Sequence, residues 1–200
     1  TTLFRSRNLT LPLICGALFP VAAYLEIAGV ITPEIARLVL PVVLWINLLA
    51  ALFRQSREGI EAALSRIGAD LLIILYPGVF AGFLVRIAGL SQSELAYLIF
   101  FVSVFLNDSM AYALGSLLGK NNRGIFPVSE KKSIAGLISG IAFSIGSTAM
   151  FYIFFPGFFG SSLALALIVG GCIGLAAVAG DLIASLFKRS AGVKDSGKII

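Results

Sequence analysis

Two aspartates interrupt long apolar runs of the sequence. Asp108 stands in the run that begins near residue 94, and Asp181 in the run that begins near residue 161. A charge in hydrocarbon costs roughly 2.5–3.5 kcal/mol even on the gentler insertion scale, so each needs a partner or a task. On a helix, Asp181 shares one face with Ser185 and Lys188. That stripe leads from a hard-oxygen ligand, suited to Mg²⁺, to an ammonium suited to phosphate. Its structural alternative is an ion pair between Asp181 and a neighbouring Lys or Arg. Asp108 shares a face with Tyr112 and Gly115; its structural alternative is a hydrogen-bond acceptor for Asn107, Tyr112 or another helix. A third acid, Glu26, lies near the end of the first apolar run, placed to reach the interface or to pair with Arg37.

Two polar segments supply cations close to these acids. One carries Lys120, Arg123, Lys131 and Lys132 with Ser129 and Ser133; the other carries Lys188, Arg189, Lys194 and Lys198 with Ser190 and Ser196. Cations, hydroxyls and an acid a few turns away suit a phosphorylated ligand, although membrane topology alone also places Lys and Arg in such segments. The chain has no His. No Ser-His-Asp or Cys-His set can be built from it, and acyl transfer, hydrolysis by a His base and His-ligated zinc are disfavoured. Phosphoryl and nucleotidyl transfer are not, because their catalysis is mostly positioning and charge stabilisation. Cys15 and Cys172 are far apart in apolar runs and read as small core residues.

The elements that carry these groups follow from composition. Of 200 residues, 58% are hydrophobic and 12% charged, with a mean hydropathy of +1.01. One soluble core of this size could not hide so much apolar surface. Six segments, roughly 11–30, 34–53, 70–89, 94–118, 131–156 and 161–187, approach or exceed the ~20 residues that cross a bilayer, and none alternates as barrel strands do. The expected fold is all-α: a polytopic transmembrane helix bundle of about six spans. With the N-terminus inside, thirteen of the fifteen Lys and Arg fall on the inner side, leaving Arg37 and Arg86 outside, which predicts an N-in/C-in arrangement. The net charge of +5 then reflects topology and phosphate binding, with no nucleic-acid partner expected.

The segment from about 54 to 69 is too polar to cross and reads as an interfacial amphipathic helix. It belongs to an N-terminal transmembrane region 1–93, which precedes a C-terminal region 94–200 expected to hold the candidate site and the cytoplasmic loops 119–132 and 188–200. Gly78/Gly82, Gly115/Gly119, Gly136/Gly140 and Gly170/Gly174 read as helix-packing pairs, and a homodimer through such a face is compatible with them. There is no initiator Met and no signal-peptide pattern, and the sequence stops within a polar loop, so it is expected to be a fragment of a longer chain.

The run Ser185-Leu-Phe-Lys188-Arg189-Ser-Ala-Gly-Val-Lys194-Asp195-Ser-Gly197-Lys198-Ile-Ile200 resembles the signature of the phosphatidate cytidylyltransferases, the CDP-diacylglycerol synthases. Asp181, preceded by Gly180, matches the acid that this family places before the run. A second stretch is similar too: Asp108-Ser-Met-Ala111-Tyr112, Gly115, Gly119-Lys120, Ser129-Glu-Lys131-Lys132-Ser133 and Gly136. Ala135 stands where the family has a carboxylate, and the family's later metal-binding acids would follow Ile200. The resemblance implies that CTP and phosphatidate give CDP-diacylglycerol and pyrophosphate. It implies Mg²⁺ on Asp181, with a second cation as an option, and catalytic roles for Asp181, Lys188 and Asp108. Ser129, Lys131, Lys132, Ser185, Arg189, Lys194 and Asp195 would bind substrates. The setting would be a multi-pass protein among membrane lipids, its site at the cytoplasmic face of a bacterial inner membrane. A CTP-dependent kinase of a lipid alcohol, as in the dolichol and phytol kinases, is the nearest alternative. A transporter using Asp108 and Asp181 as ion sites and an inactive structural fragment are two others.

Overall fold

The computed structural model describes residues 9–58, 60–119, 124, 129 and 132–190, with residues 54–58 and 60–65 described by backbone alone. Among them the regular structure is helical throughout and no strand forms. Six helical segments are long and apolar enough to cross a membrane: Thr10–Ile27, Pro33–Phe53, Arg66–Ile87, Ser93–Leu118, Ile134–Phe154 and Leu163–Ser190. Large apolar side chains such as Phe53, Phe105 and Ile153 point outward along them, as a lipid-facing bundle requires. The polytopic all-α fold is thus the observed one. The helices fall into two compact units, Thr1–Ser93 and Glu94–Ile200.

The first unit contains α1 (Thr10–Ile27), the short α2 (Pro33–Arg37), α3 (Val39–Glu58), α4 (Ile60–Ile73) and α5 (Phe80–Ile87). A π-helical turn, Ile74–Val79, joins α4 to α5 and contains Pro77. Proline lacks the N–H that would close an α-turn, and a widened turn accommodates it. Immediately after Pro77, the backbone of Gly78 meets that of Gly16 on α1, where an added Cβ would lie 2.7 Å from the Gly16 carbonyl oxygen. Cys15, Val43 and Ile74 form the core beside that contact. Cys172, in the second unit, is exposed and is not the core residue expected of it. Between the second and third candidate spans, α3 continues to Glu58 and α4 starts at Ile60. Glu26 pairs with Arg86, at 2.7 and 3.0 Å, and not with Arg37.

The second unit consists of α6 (Ser93–Leu118), α7 (Ile134–Phe154) and α8 (Leu163–Ser190). Its helices approach closely because glycine stands at each crossing. A Cβ on Gly136 would fall 2.6 Å from the Ala111 carbonyl oxygen, and one on Gly140 would fall 2.8 Å from that of Asn107. On α8, a Cβ on Gly170 would collide with the Thr148 hydroxyl, and one on Gly174 would meet the Ile141 Cα at 3.1 Å. Buried hydroxyls reinforce the seam. Ser103 and Ser147 join α6 to α7 at 2.7 Å, and Ser144 donates to the Gly170 carbonyl at 2.9 Å. In a membrane, packing and such bonds replace the hydrophobic drive between helices. An aromatic cluster around Phe151 and Phe159, with Ile99 and Ala166, fills the end of the unit near the 3₁₀ turn Pro156–Phe159.

Two substitutions within α7 separate packing from propensity. Gly136→Ala must push apart α6 and α7 backbone and should lower the thermal unfolding midpoint, by the equivalent of about 1–3 kcal/mol. Gly146→Ala, where a Cβ meets nothing within 4 Å, should leave the midpoint unchanged or raise it.

Candidate active site

The glycine seam determines where the polar ends of these helices meet. Ser133 caps α7: its hydroxyl accepts from the Gly136 N–H at 3.1 Å and donates to the Gly115 carbonyl at 3.3 Å. One side chain therefore satisfies an orphan donor of α7 and ties that terminus to α6. The preceding residue, Lys132, has its own N–H bonded to the Ser129 carbonyl at 3.1 Å, so the turn delivers the Lys132 side chain at the head of α7. The carboxylate opposite it comes from α8, where Asp181 lies nine residues, about 14 Å, before the helix end at Ser190.

These groups line a cleft of about 730 Å³. Its charged and hydroxyl-bearing walls include Asp108, Ser116, Ser129, Lys132 and Asp181; its apolar wall includes Ala111, Leu137 and Val178. Within it the Lys132 Nζ lies 2.7 Å from Asp181 Oδ2. This is an ion pair by distance. The angles are not those of a hydrogen bond, and Nζ, cut off from solvent, has no hydrogen-bond partner among the described residues. The Asp181 side chain is 58% exposed and the Lys132 side chain 18%, so the acid opens to the cleft while the ammonium is recessed. Beside them, buried Asn107 donates from Nδ2 to Asp108 Oδ1 at 3.1 Å and orients that carboxylate.

Of the residues that the sequence points to, the cleft gathers Asp108, Ser129, Lys132 and Asp181. Three others lie further along α8. The Ser185 hydroxyl donates to the Asp181 carbonyl at 2.8 Å, a bond within its own helix. Lys188 and Arg189 form the last turn of α8, where their charges complement the helix C-terminus, and neither lines the cleft. Lys131, Lys194 and Asp195, with Lys120, Arg123 and Lys198, lie outside the described residues. The sequence reading missed Ser116, Leu137 and Val178 as lining residues. Val178 carried a usable signal, since it precedes Asp181 by three residues and shares its helical face. Among the described residues no three His, Cys, Asp or Glu side chains cluster as a metal cage. Carboxylates and hydroxyls nonetheless make the cleft a hard-oxygen donor set, which fits Mg²⁺, an ion commonly held by one or two carboxylates plus water and phosphate oxygens.

The fold and cleft define a polytopic membrane protein with an acid, an ammonium and an apolar wall at one helix junction. The chain belongs to the cytidylyltransferase family, whose profile matches residues 1–200. It is similar to the phosphatidate cytidylyltransferase of Staphylococcus saprophyticus, with 36% identity over 132 residues, 65% of this chain and 48% of the relative. The phosphatidate cytidylyltransferase of Aquifex aeolicus is 31% identical over 128 residues, 64% of this chain and 45% of the relative. That of Staphylococcus haemolyticus is 36% identical over 131 residues, 65% and 48% respectively. The chain spans about half the length of the curated relatives it matches. No solved structure matches it.

The two serines of this region have different expected sensitivities. Removing the Ser133 hydroxyl breaks the α7 cap and its bond to α6, and Ser133→Ala should cost about 1 kcal/mol in chemical or thermal unfolding. Ser185→Ala loses only a bond to its own helix and should change stability by less than about 0.5 kcal/mol.

Proposed function

We propose that this chain is the cytidylyl-transfer part of a phosphatidate cytidylyltransferase. In this reaction a phosphate oxygen of phosphatidate attacks the α-phosphorus of CTP. The bond between the α-phosphorus and its bridging oxygen breaks, and pyrophosphate leaves with that electron pair. The nucleophile is already an anion, so no general base is needed, in keeping with a chain that contains no His.

The observation that carries this reading is the Lys132–Asp181 pair within a cleft that also holds Asp108 and an apolar wall. An ammonium with unused donors suits triphosphate oxygens. Asp181, with Asp108 in the same cleft, would hold Mg²⁺, which when bound offsets charge on the triphosphate. Ala111, Leu137 and Val178 suit the start of an acyl chain whose headgroup reaches the charged wall. Lys188 and Arg189, beyond Asp181 on α8, would steer anions towards the cleft, and Lys131, Lys194 and Asp195 would contribute to substrate binding. The Lys and Arg bias supports an N-in/C-in bundle with the cleft at the cytoplasmic face of a bacterial inner membrane. There CTP arrives from water while phosphatidate stays in lipid.

The test gives the intact protein, in detergent with Mg²⁺, CTP labelled at either the α- or the γ-phosphate and phosphatidate or a polyprenol as acceptor. Label should enter phosphatidate from the α position alone, and Asp181→Asn should reduce the rate by at least about 100-fold, as expected for a metal ligand. Entry only from the γ position would make the protein a lipid kinase and contradict the proposal.

A further inference from the structure

Lys132 is an odd partner for a purely structural ion pair. An ammonium carries three donors. Here it is withdrawn from solvent, touches one carboxylate oxygen at 2.7 Å, and completes no hydrogen bond among the described residues. Leaving donors unsatisfied in a recess is unfavourable, and one contact with a largely exposed carboxylate offsets that only in part. The arrangement is therefore poised for exchange. The acid already faces the cleft, and the ammonium gains from any oxygen-rich partner that enters it.

Resting on the reading above, in which Asp181 is a metal ligand, we propose that Lys132 is a resident counter-ion that keeps the metal position of Asp181 occupied between turnovers. Before substrate binds, Lys132 neutralises the carboxylate, which otherwise would sit uncompensated at a membrane-embedded helix junction. When a divalent cation arrives with a nucleoside triphosphate, Lys132 gives up Asp181 and turns its donors to phosphate oxygens. Two consequences follow from charge alone. A divalent cation without nucleotide must displace Lys132 and leave it partnerless, so it binds weakly. A cation with nucleotide supplies the replacement partner, so the two bind with positive coupling, and the coupling is reciprocal.

Mn²⁺ is a suitable probe, because its free ion can be counted by electron paramagnetic resonance in a titration of the intact, detergent-solubilised protein, with no turnover needed. The unmodified protein should bind Mn²⁺ weakly alone and markedly more tightly with CTP. Lys132→Met should bind Mn²⁺ alone about three- to tenfold more tightly than the unmodified protein and lose most of the CTP effect. Lys132→Gln, which keeps a polar side chain in the recess, should behave as Lys132→Met does; Lys132→Arg, which keeps the cation, should follow the unmodified protein. Asp181→Asn should abolish the Mn²⁺ site in every background. If neutral side chains at position 132 leave Mn²⁺ affinity unchanged or weaken it while Asp181→Asn abolishes it, Asp181 is a ligand and Lys132 is not its placeholder. If Asp181→Asn leaves Mn²⁺ binding intact, the metal role of Asp181 falls, and the exchange falls with it.

Discussion

The contact between the Lys132 ammonium and the Asp181 carboxylate depends on a backbone constraint several residues away. Lys132 enters at the head of α7 and Asp181 lies two to three turns from the end of α8. They meet because α7 and α8 approach within the thickness of a glycine at Gly170 and Gly174. On the other side of α7, Gly115 and Gly136 bring α6 equally near, which places Asp108 in the same cleft. Side chains at these glycines would push the helices apart and loosen the contact between acid and ammonium. The seam is what turns three largely apolar helices into one charged site.

The same seam explains how carboxylates persist in segments that hydropathy assigns to lipid. Asp181 has Lys132, and Asp108 accepts from Asn107. Ser103, Ser144, Ser147 and Thr148 bury their hydroxyls at the helix contacts and find partners there. The polar content of the second unit is thus divided in two. Hydroxyls stitch the packed middle, while charges gather where α7 begins.

Much of this was legible in the sequence, for identifiable reasons. The six spans follow from unbroken apolar length, which in lipid leaves few alternatives to a helix. Asp108 and Asp181 stood out because acids in such runs are costly, and an ion pair for Asp181 with a nearby Lys or Arg was among the expected outcomes. The sequence could not choose Lys132 from its neighbours, since a polar segment without periodicity carries no direction for a side chain. The stripe Asp181–Ser185–Lys188 is only partly gathered in the cleft. Helical spacing puts the three on one face, but the Ser185 hydroxyl turns back to its own backbone, and the end of α8 runs past the cleft. For Glu26 the sequence offers the interface or Arg37; the turn at Gly29, with its positive φ, and the packing of α5 on α1 bring Arg86 to it instead.

Family membership and the cleft meet in the claim that nucleotide binds between α6, α7 and the Asp181 turn of α8. Cysteine protection tests that most directly. In a background with Cys15 and Cys172 replaced, single cysteines at Ser116 and Ser129 would report on the cleft, and one at Gly157, which nothing crowds, would report on the far end of α7. Thiol modification should slow several-fold at positions 116 and 129 when Mg²⁺ and CTP are added together, and should not change at position 157. Equal labelling at positions 116 and 129 with and without nucleotide, in protein that turns over CTP, would contradict the account and move the nucleotide site elsewhere.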